Sequence, residues 1–125
     1  MISVNLSKYI YEVEVLSIYD GDTIRVAINL GFGIVWKGYK NKGVKLRLFG
    51  IDTPELRGAE RVSGLLSRDA LKEKLEGRKV ILKTELDKTG KYGRYLAHIY
   101  VIENEETIYI NEWLVNEGLA IKRNY

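Results

Sequence analysis

The chain has 125 residues, 46 % hydrophobic and 30 % charged, with 20 basic against 17 acidic side chains and a formal net charge of +3. That length suits a single domain over residues 1–125 with one hydrophobic core, and no stretch approaches the ~20 apolar residues of a membrane span. No cysteine and one histidine exclude disulfide and thiolate chemistry and argue against a histidine-based zinc site.

Residues 1–19 show no basic region followed by an apolar block, so a signal peptide is not expected. The cytoplasm is the favoured compartment unless an export segment has been removed. The first strand is expected over Ile10 to Tyr19, where Tyr11, Val13 and Val15 alternate with Glu12 and Glu14. Asp20-Gly21 is a hairpin signal, and Ile24, Val26 and Ile28 alternate beyond it as a second strand. Leu30 to Gly43 reads as a turn and short strand, then an exposed basic loop from Lys37 to Lys42.

Val44 to Glu55 is the run around which the chain is organised. Val44, Leu46 and Leu48 fall on one face of a strand, Lys45, Arg47 and Phe49 on the other. The strand stops at Asp52-Thr53-Pro54-Glu55, since Pro54 cannot donate to a central ladder. Thr53 before Pro54 suits a helix N-cap with proline at the first helical position. Composition favours helix between Gly58 and Gly77, the latter a C-terminal stop. Val80 to Thr84 and Tyr95 to Ile102 follow as strands, separated by a polar loop. Glu103 to Glu106 reads as a turn and Thr107 to Tyr109 as a short strand. Asn111 is then expected as the N-cap of a helix that Gly118 ends, with Ile110, Trp113 and Leu114 facing inward. Five or so strands with a helix inserted after the third suit a small closed barrel of the OB type, an α+β fold that is mainly β.

Two acidic groups stand at the hairpin, Asp20 and Asp22, and one at the strand end, Asp52. Brought together, such carboxylates make an oxygen-only site suited to calcium or magnesium; apart, Asp20 is a turn residue and Asp52 a local cap. Arg47 leads towards Asp52, and Arg94 closes a glycine-flanked loop. Two guanidinium forks could stabilise charge on a phosphoryl group, or be ordinary surface arginines. Glu55 reads either as a general base acting on water or as a helix first-turn acid. His98, mid-strand, reads as structural, Trp36 as a loop anchor and Trp113 as a core residue.

Asp20-Gly21-Asp22-Thr23, Leu46-Arg47-Leu48 leading to Asp52-Thr53-Pro54-Glu55, Lys91-Tyr92-Gly93-Arg94, and the tail Asn111-Glu112, Leu114-Val115 and Gly118-Leu119-Ala120 together resemble the staphylococcal nuclease (thermonuclease) family. The resemblance runs over roughly residues 12 to 121, in the family order. It implies a five-stranded OB-fold barrel, with one or two short C-terminal helices, acting as a calcium-dependent phosphodiesterase on DNA and RNA. Such an enzyme cuts the bond to the 5′ oxygen and leaves 3′-phosphate ends. By position, Asp22, Asp52 and the Thr53 carbonyl would be the Ca2+ ligands, with Asp20 behind them through water. Glu55 would orient or deprotonate the attacking water. Arg47 and Arg94 would grip the phosphate, and Lys91 and Tyr92 a terminal nucleotide phosphate. The expected partners are single-stranded or frayed DNA and RNA, the expected state a monomer.

Two positions depart from the family pattern. Gly90 stands where an aspartate commonly precedes the lysine, and Arg123 and Asn124 follow the tail where the type member has tyrosines against the nucleotide. Stacking on aromatics contributes ~1–3 kcal/mol per base. The Gly31 to Lys42 loop, with Trp36 and Tyr39, is either a replacement stacking surface or a plain hairpin cover. The alternatives to a nuclease are a catalytically silent OB-fold nucleic-acid-binding module, which would be free to lose the acidic and arginine positions retained here, and a protein-interaction barrel.

Overall fold

The computed structural model describes residues 9–85 and 95–124. Its strands in chain order are β1 (Ile10–Asp20), β2 (Thr23–Gly31), β3 (Ile34–Trp36), β4 (Val44–Leu48) and the two-residue β5 (Ile51–Asp52). Helix α1 (Arg61–Leu75) follows, then β6 (Lys79–Glu85), β7 (Tyr95–Glu103), β8 (Glu106–Tyr109), α2 (Ile110–Asn116) and β9 (Ile121–Lys122). Short 3-10 turns occupy Tyr39–Asn41 and Gly58–Glu60.

Five strands close on themselves in the order β1-β6-β7-β4-β2, with β2 returning to β1. The expected OB-type barrel is what forms, and α1 enters after its third strand. All its pairings are antiparallel except β4 with β7, which is parallel. Closure depends on β1 serving two neighbours: Ile10 to Val13 pair with β6, and Val13 to Asp20 with β2. Register shifts between Val15 and Ser17 and between Ile18 and Asp20 bend the strand round the corner, as bulges do.

The alternation read in the sequence sets which side chains fill the barrel. Ile24 and Val26 of β2, Leu46 and Leu48 of β4, Leu82 of β6 and Ile99 and Val101 of β7 are all buried. Leu71 and Leu75 reach the same core from α1, and Ile110 and Leu114 from α2. Truncating any one of these to alanine costs about 2–5 kcal/mol. No helix among the described residues is long and apolar enough to cross a membrane.

Two of the expected caps are not caps. Thr53 and Pro54 do not open a helix: the chain stays irregular from Thr53 to Arg57, and α1 begins only at Arg61. The Thr53 N–H is instead bonded to the Asp22 carboxylate at 3.1 Å, and Glu55, outside any helix, is not a first-turn acid. Asn111 lies within α2, whose N-cap is Tyr109. Its buried amide accepts from the Ile99 N–H at 3.0 Å and donates to the Phe49 and Ala97 carbonyls at 2.9 and 3.0 Å. It therefore fastens β7 to the segment leaving β4.

The tail after α2, for which the sequence offered no reading, returns as a strand. β9 pairs with β5 through Ile51↔Lys122 and Asp52↔Ile121, and the Arg123 N–H bonds the Gly50 carbonyl at 2.8 Å. The strand end that carries Asp52 is thus clamped from outside.

Candidate active site

Three pieces of chain meet at one end of the barrel: the β1–β2 hairpin, the end of β4, and β5 with the loop after it. The hairpin is tied to β4 by the Leu48 N–H, which bonds the Asp22 carbonyl at 2.8 Å. Gly21 allows the close approach. A methyl group there would come within 2.7 Å of Thr53 Cγ2 and 2.9 Å of Ser67 Cβ.

The meeting brings Asp22, Arg47 and Asp52 together. Arg47 is only 6 % exposed and Asp22 7 %, so their charges need partners. Arg47 Nη1 lies 3.1 Å from Asp22 Oδ2. Its Nη2 pairs with Asp52 Oδ1 and also donates to the Ile51 carbonyl at 3.2 Å. One guanidinium therefore spans both carboxylates, a fork geometry that lysine could not reproduce.

Asp20 stands behind this pair. Its Oδ1 accepts the Asp22 N–H at 3.0 Å. Burial, then the hydrogen bond and negative charge of neighbouring Asp22, push its pKa up from 3.8 to about 6. The cost of ionising Asp20 beside Asp22 is one that a nearby cation would relieve.

The donor set suits a hard divalent ion. Asp22 and Asp52 offer carboxylate oxygens, and the Thr53 N–H bonded to Asp22 sets the Thr53 backbone beside them. Among the described residues no three acidic, histidine or cysteine side chains gather into a cage. Calcium completes such partial sets with backbone carbonyls and water.

A cleft of about 590 Å³ opens over these groups. Glu55, which is solvent-exposed, lines it, as do Lys45, Arg57 and Arg123. Arg123 Nη1 reaches Asp52 Oδ1 at 3.2 Å, so Asp52 meets two arginines. Arg57 is new to the site, and Arg123, named from the sequence only as a departure in the tail, comes to the cleft through the β5–β9 pairing, for which no residue pattern signals. Of the nine site residues expected from the sequence, Asp20, Asp22, Arg47, Asp52, Thr53 and Glu55 all line this cleft. Lys91, Tyr92 and Arg94 lie outside the described residues.

Elsewhere, His98 stands between Tyr109, whose hydroxyl is 2.6 Å from Nδ1, and Glu85, whose Oε2 is 2.9 Å from Nε2. It ties β7 to β8 and β6, away from the cleft, as a structural residue does. Trp113 packs beside the core and under Lys74, whose Nζ lies 5.1 Å from the ring centre.

The similarities to known proteins agree with this geometry. Residues 45–125 match the family described as staphylococcal nuclease homologue, a segment that includes Arg47, Asp52, Thr53 and Glu55 and begins after Asp20 and Asp22. A thermonuclease of Staphylococcus hyicus is 32 % identical over 124 residues, covering 97 % of this chain and 63 % of that protein. An uncharacterized protein of Methanocaldococcus jannaschii is 29 % identical over 131 residues, covering 88 % of this chain and 58 % of that protein. The chain spans less than two thirds of the length of either relative. With matches of this extent joined to the barrel and its inserted helix, the chain belongs to the staphylococcal nuclease family.

Proposed function

We propose that the chain is a calcium-dependent nuclease. It hydrolyses phosphodiester bonds of DNA and RNA with little sequence preference, cuts the P–O5′ bond to leave 3′-phosphate ends, and works as a single monomeric domain over residues 1–125. The observation that carries this reading is the convergence of Asp22 and Asp52 on Arg47 beneath a cleft that Glu55 lines. Family membership supports it.

Asp22, Asp52 and the Thr53 carbonyl would hold the ion, with Asp20 behind them. When bound, calcium supplies positive charge against the phosphate. Glu55 takes the proton of the attacking water as its oxygen bonds to phosphorus. The P–O5′ bond breaks, and the proton is returned to the departing 5′ oxygen. Arg47 and Arg94 bind the non-bridging phosphoryl oxygens, where a single aligned donor is worth about 10²–10³ in rate. Lys91 and Tyr92 hold the terminal nucleotide phosphate.

The test is incubation with single-stranded DNA and calcium, repeated with a chelator. Calcium-dependent shortening is expected. No shortening from neutral to alkaline pH overturns the reading.

A further inference from the structure

The basic excess of this chain is not spread evenly. Between Thr23 and Ile51 there is no aspartate or glutamate, while Arg25, Lys37, Lys40, Lys42, Lys45 and Arg47 all fall within it. That stretch is +6 in a chain of +3, so everything outside it sums to −3. It is also one continuous piece of structure: β2, the β2–β3 hairpin, the turn over Tyr39–Asn41 and β4.

Aromatic rings are interleaved with these charges. Phe32, at the hairpin tip, is completely exposed, and Tyr39 is 83 % exposed. Lys40 Nζ sits 5.4 Å from the Tyr39 ring centre. Trp36 meets Tyr95 edge to face with ring centres 6.1 Å apart, and both remain about half exposed. A largely exposed ring with an ammonium group over one face is a platform for a nucleobase and a phosphate together.

The platform connects to the cleft. Thr23 pairs with Arg47 at the cleft end of β2, Arg25 pairs with Lys45, and Ile28 pairs with Trp36 further along. Thr23 to Ile28 covers about 17 Å at the rise of a strand, room for several nucleotides. Lys45 lines the cleft itself, and Tyr95 pairs with Leu46, its neighbour on β4.

We propose that the β2–β3 hairpin, the turn after it, Lys45 and Tyr95 form a track that holds single-stranded nucleic acid leading away from the cleft. Six basic side chains with no carboxylate within the segment itself favour a polyanion, and exposed rings favour unpaired bases. The proposal rests on the nuclease reading only for the direction in which the strand runs. It assigns the hairpin to binding and leaves the chemistry to the cleft.

The test uses the whole chain with a chelator present, so that nothing is cut, and measures anisotropy of labelled oligothymidylates about 4 and about 16 nucleotides long, the range of a single OB barrel. Joint replacement Trp36→Ala and Tyr39→Ala is expected to weaken the longer oligonucleotide at least about tenfold, with a smaller loss for the shorter one. Replacing Lys37, Lys40 and Lys42 by glutamine, which leaves the Trp36–Tyr95 contact intact, is expected to lower the slope of log affinity against log salt by about 2. Equal losses at both lengths, or none in properly folded variants, overturn the track. So does a hairpin variant that changes only self-association in sedimentation, which would make the arm a contact between two copies. Length-dependent binding by a parent chain that never cuts DNA with calcium would retain the track and sink the nuclease reading; cutting without length dependence would do the reverse.

Discussion

Arg47 Nη1 lies 3.1 Å from Asp22 Oδ2, with both side chains almost wholly buried. The pair is the floor of the cleft, and it is also a structural joint. Asp22 carries two further bonds, from the Thr53 N–H at 3.1 Å and the Thr23 hydroxyl at 3.2 Å. Hairpin, β4 and the post-β5 loop are therefore held by the same charges that the proposed chemistry uses.

Removing Arg47 should cost both stability and activity. Arg47→Ala leaves the buried Asp22 carboxylate without its counter-charge, and breaking such a pair costs about 3–5 kcal/mol. Urea unfolding in chelator is expected to reveal that loss, and added calcium to recover a substantial part of it. An identical loss with and without calcium would mean that the ion does not bind between these carboxylates.

Asp20 sets a pH dependence in the metal-free protein. Its folded pKa is raised to about 6 from 3.8, first by burial and then by Asp22. Between those values the folded chain keeps a proton that the unfolded chain has lost, so stability falls as pH rises through the window. Below about pH 4 there is no penalty, and above about pH 6 it is complete. Asp20→Asn should abolish the slope and be more stable than the parent above pH 6, by about 1–2 kcal/mol after solvent screening. Unfolding free energies from pH 4 to 7.5 in chelator check this; parallel curves for the two proteins would refute it.

Asn111 should be among the most costly polar positions to lose. Its amide serves the Ile99 N–H and two carbonyls, Phe49 and Ala97. Asn111→Ala strands buried backbone groups at about 1–3 kcal/mol each, so a total near 3 kcal/mol is expected. Asn111→Asp keeps an acceptor for Ile99, loses both donors and buries a charge. It should be the worse of the two at neutral pH, and chemical denaturation of the pair measures the order.

The readings that succeeded and failed in the sequence divide along a physical line. Barrel strands were legible because Ile24, Val26, Leu46 and Leu48 alternate, and alternation depends only on which face is buried. Asp22, Arg47 and Asp52 could be picked out because a turn and an abrupt strand end are local signals. That one guanidinium spans both acids was not legible, since Asp22 and Asp52 are thirty residues apart and meet only when the barrel closes. Thr53-Pro54 and Asn111 failed for another reason. A Thr-Pro pair or an asparagine beside a helix has the same sequence whether its polar groups cap that helix or serve a neighbouring strand. β9, and with it the place of Arg123 at the cleft, left no signal, because a two-residue strand has no period and exists through its pairing with β5.

Gly64 gives a way to move Glu55 without touching it. The residue sits inside α1, where glycine is about 1 kcal/mol worse than alanine, so a packing reason is required. A methyl group there would lie 2.3 Å from the Glu55 carbonyl oxygen and 2.9 Å from that of Pro54. Gly64→Ala must therefore push the Pro54-Glu55 backbone by about 1 Å, a displacement that can cost about 10² in rate. The expected result is a folded protein with kcat reduced by about that factor and little change in KM. Glu55→Gln alone should reduce kcat further. If the glycine acts through Glu55, adding Gly64→Ala to Glu55→Gln should cost almost nothing more, since the group being misplaced no longer accepts a proton. Full additivity of the two losses would show that the methyl group disturbs some other part of the cleft, whereas a Glu55→Gln variant with unchanged kcat would remove Glu55 from the chemistry proposed for it.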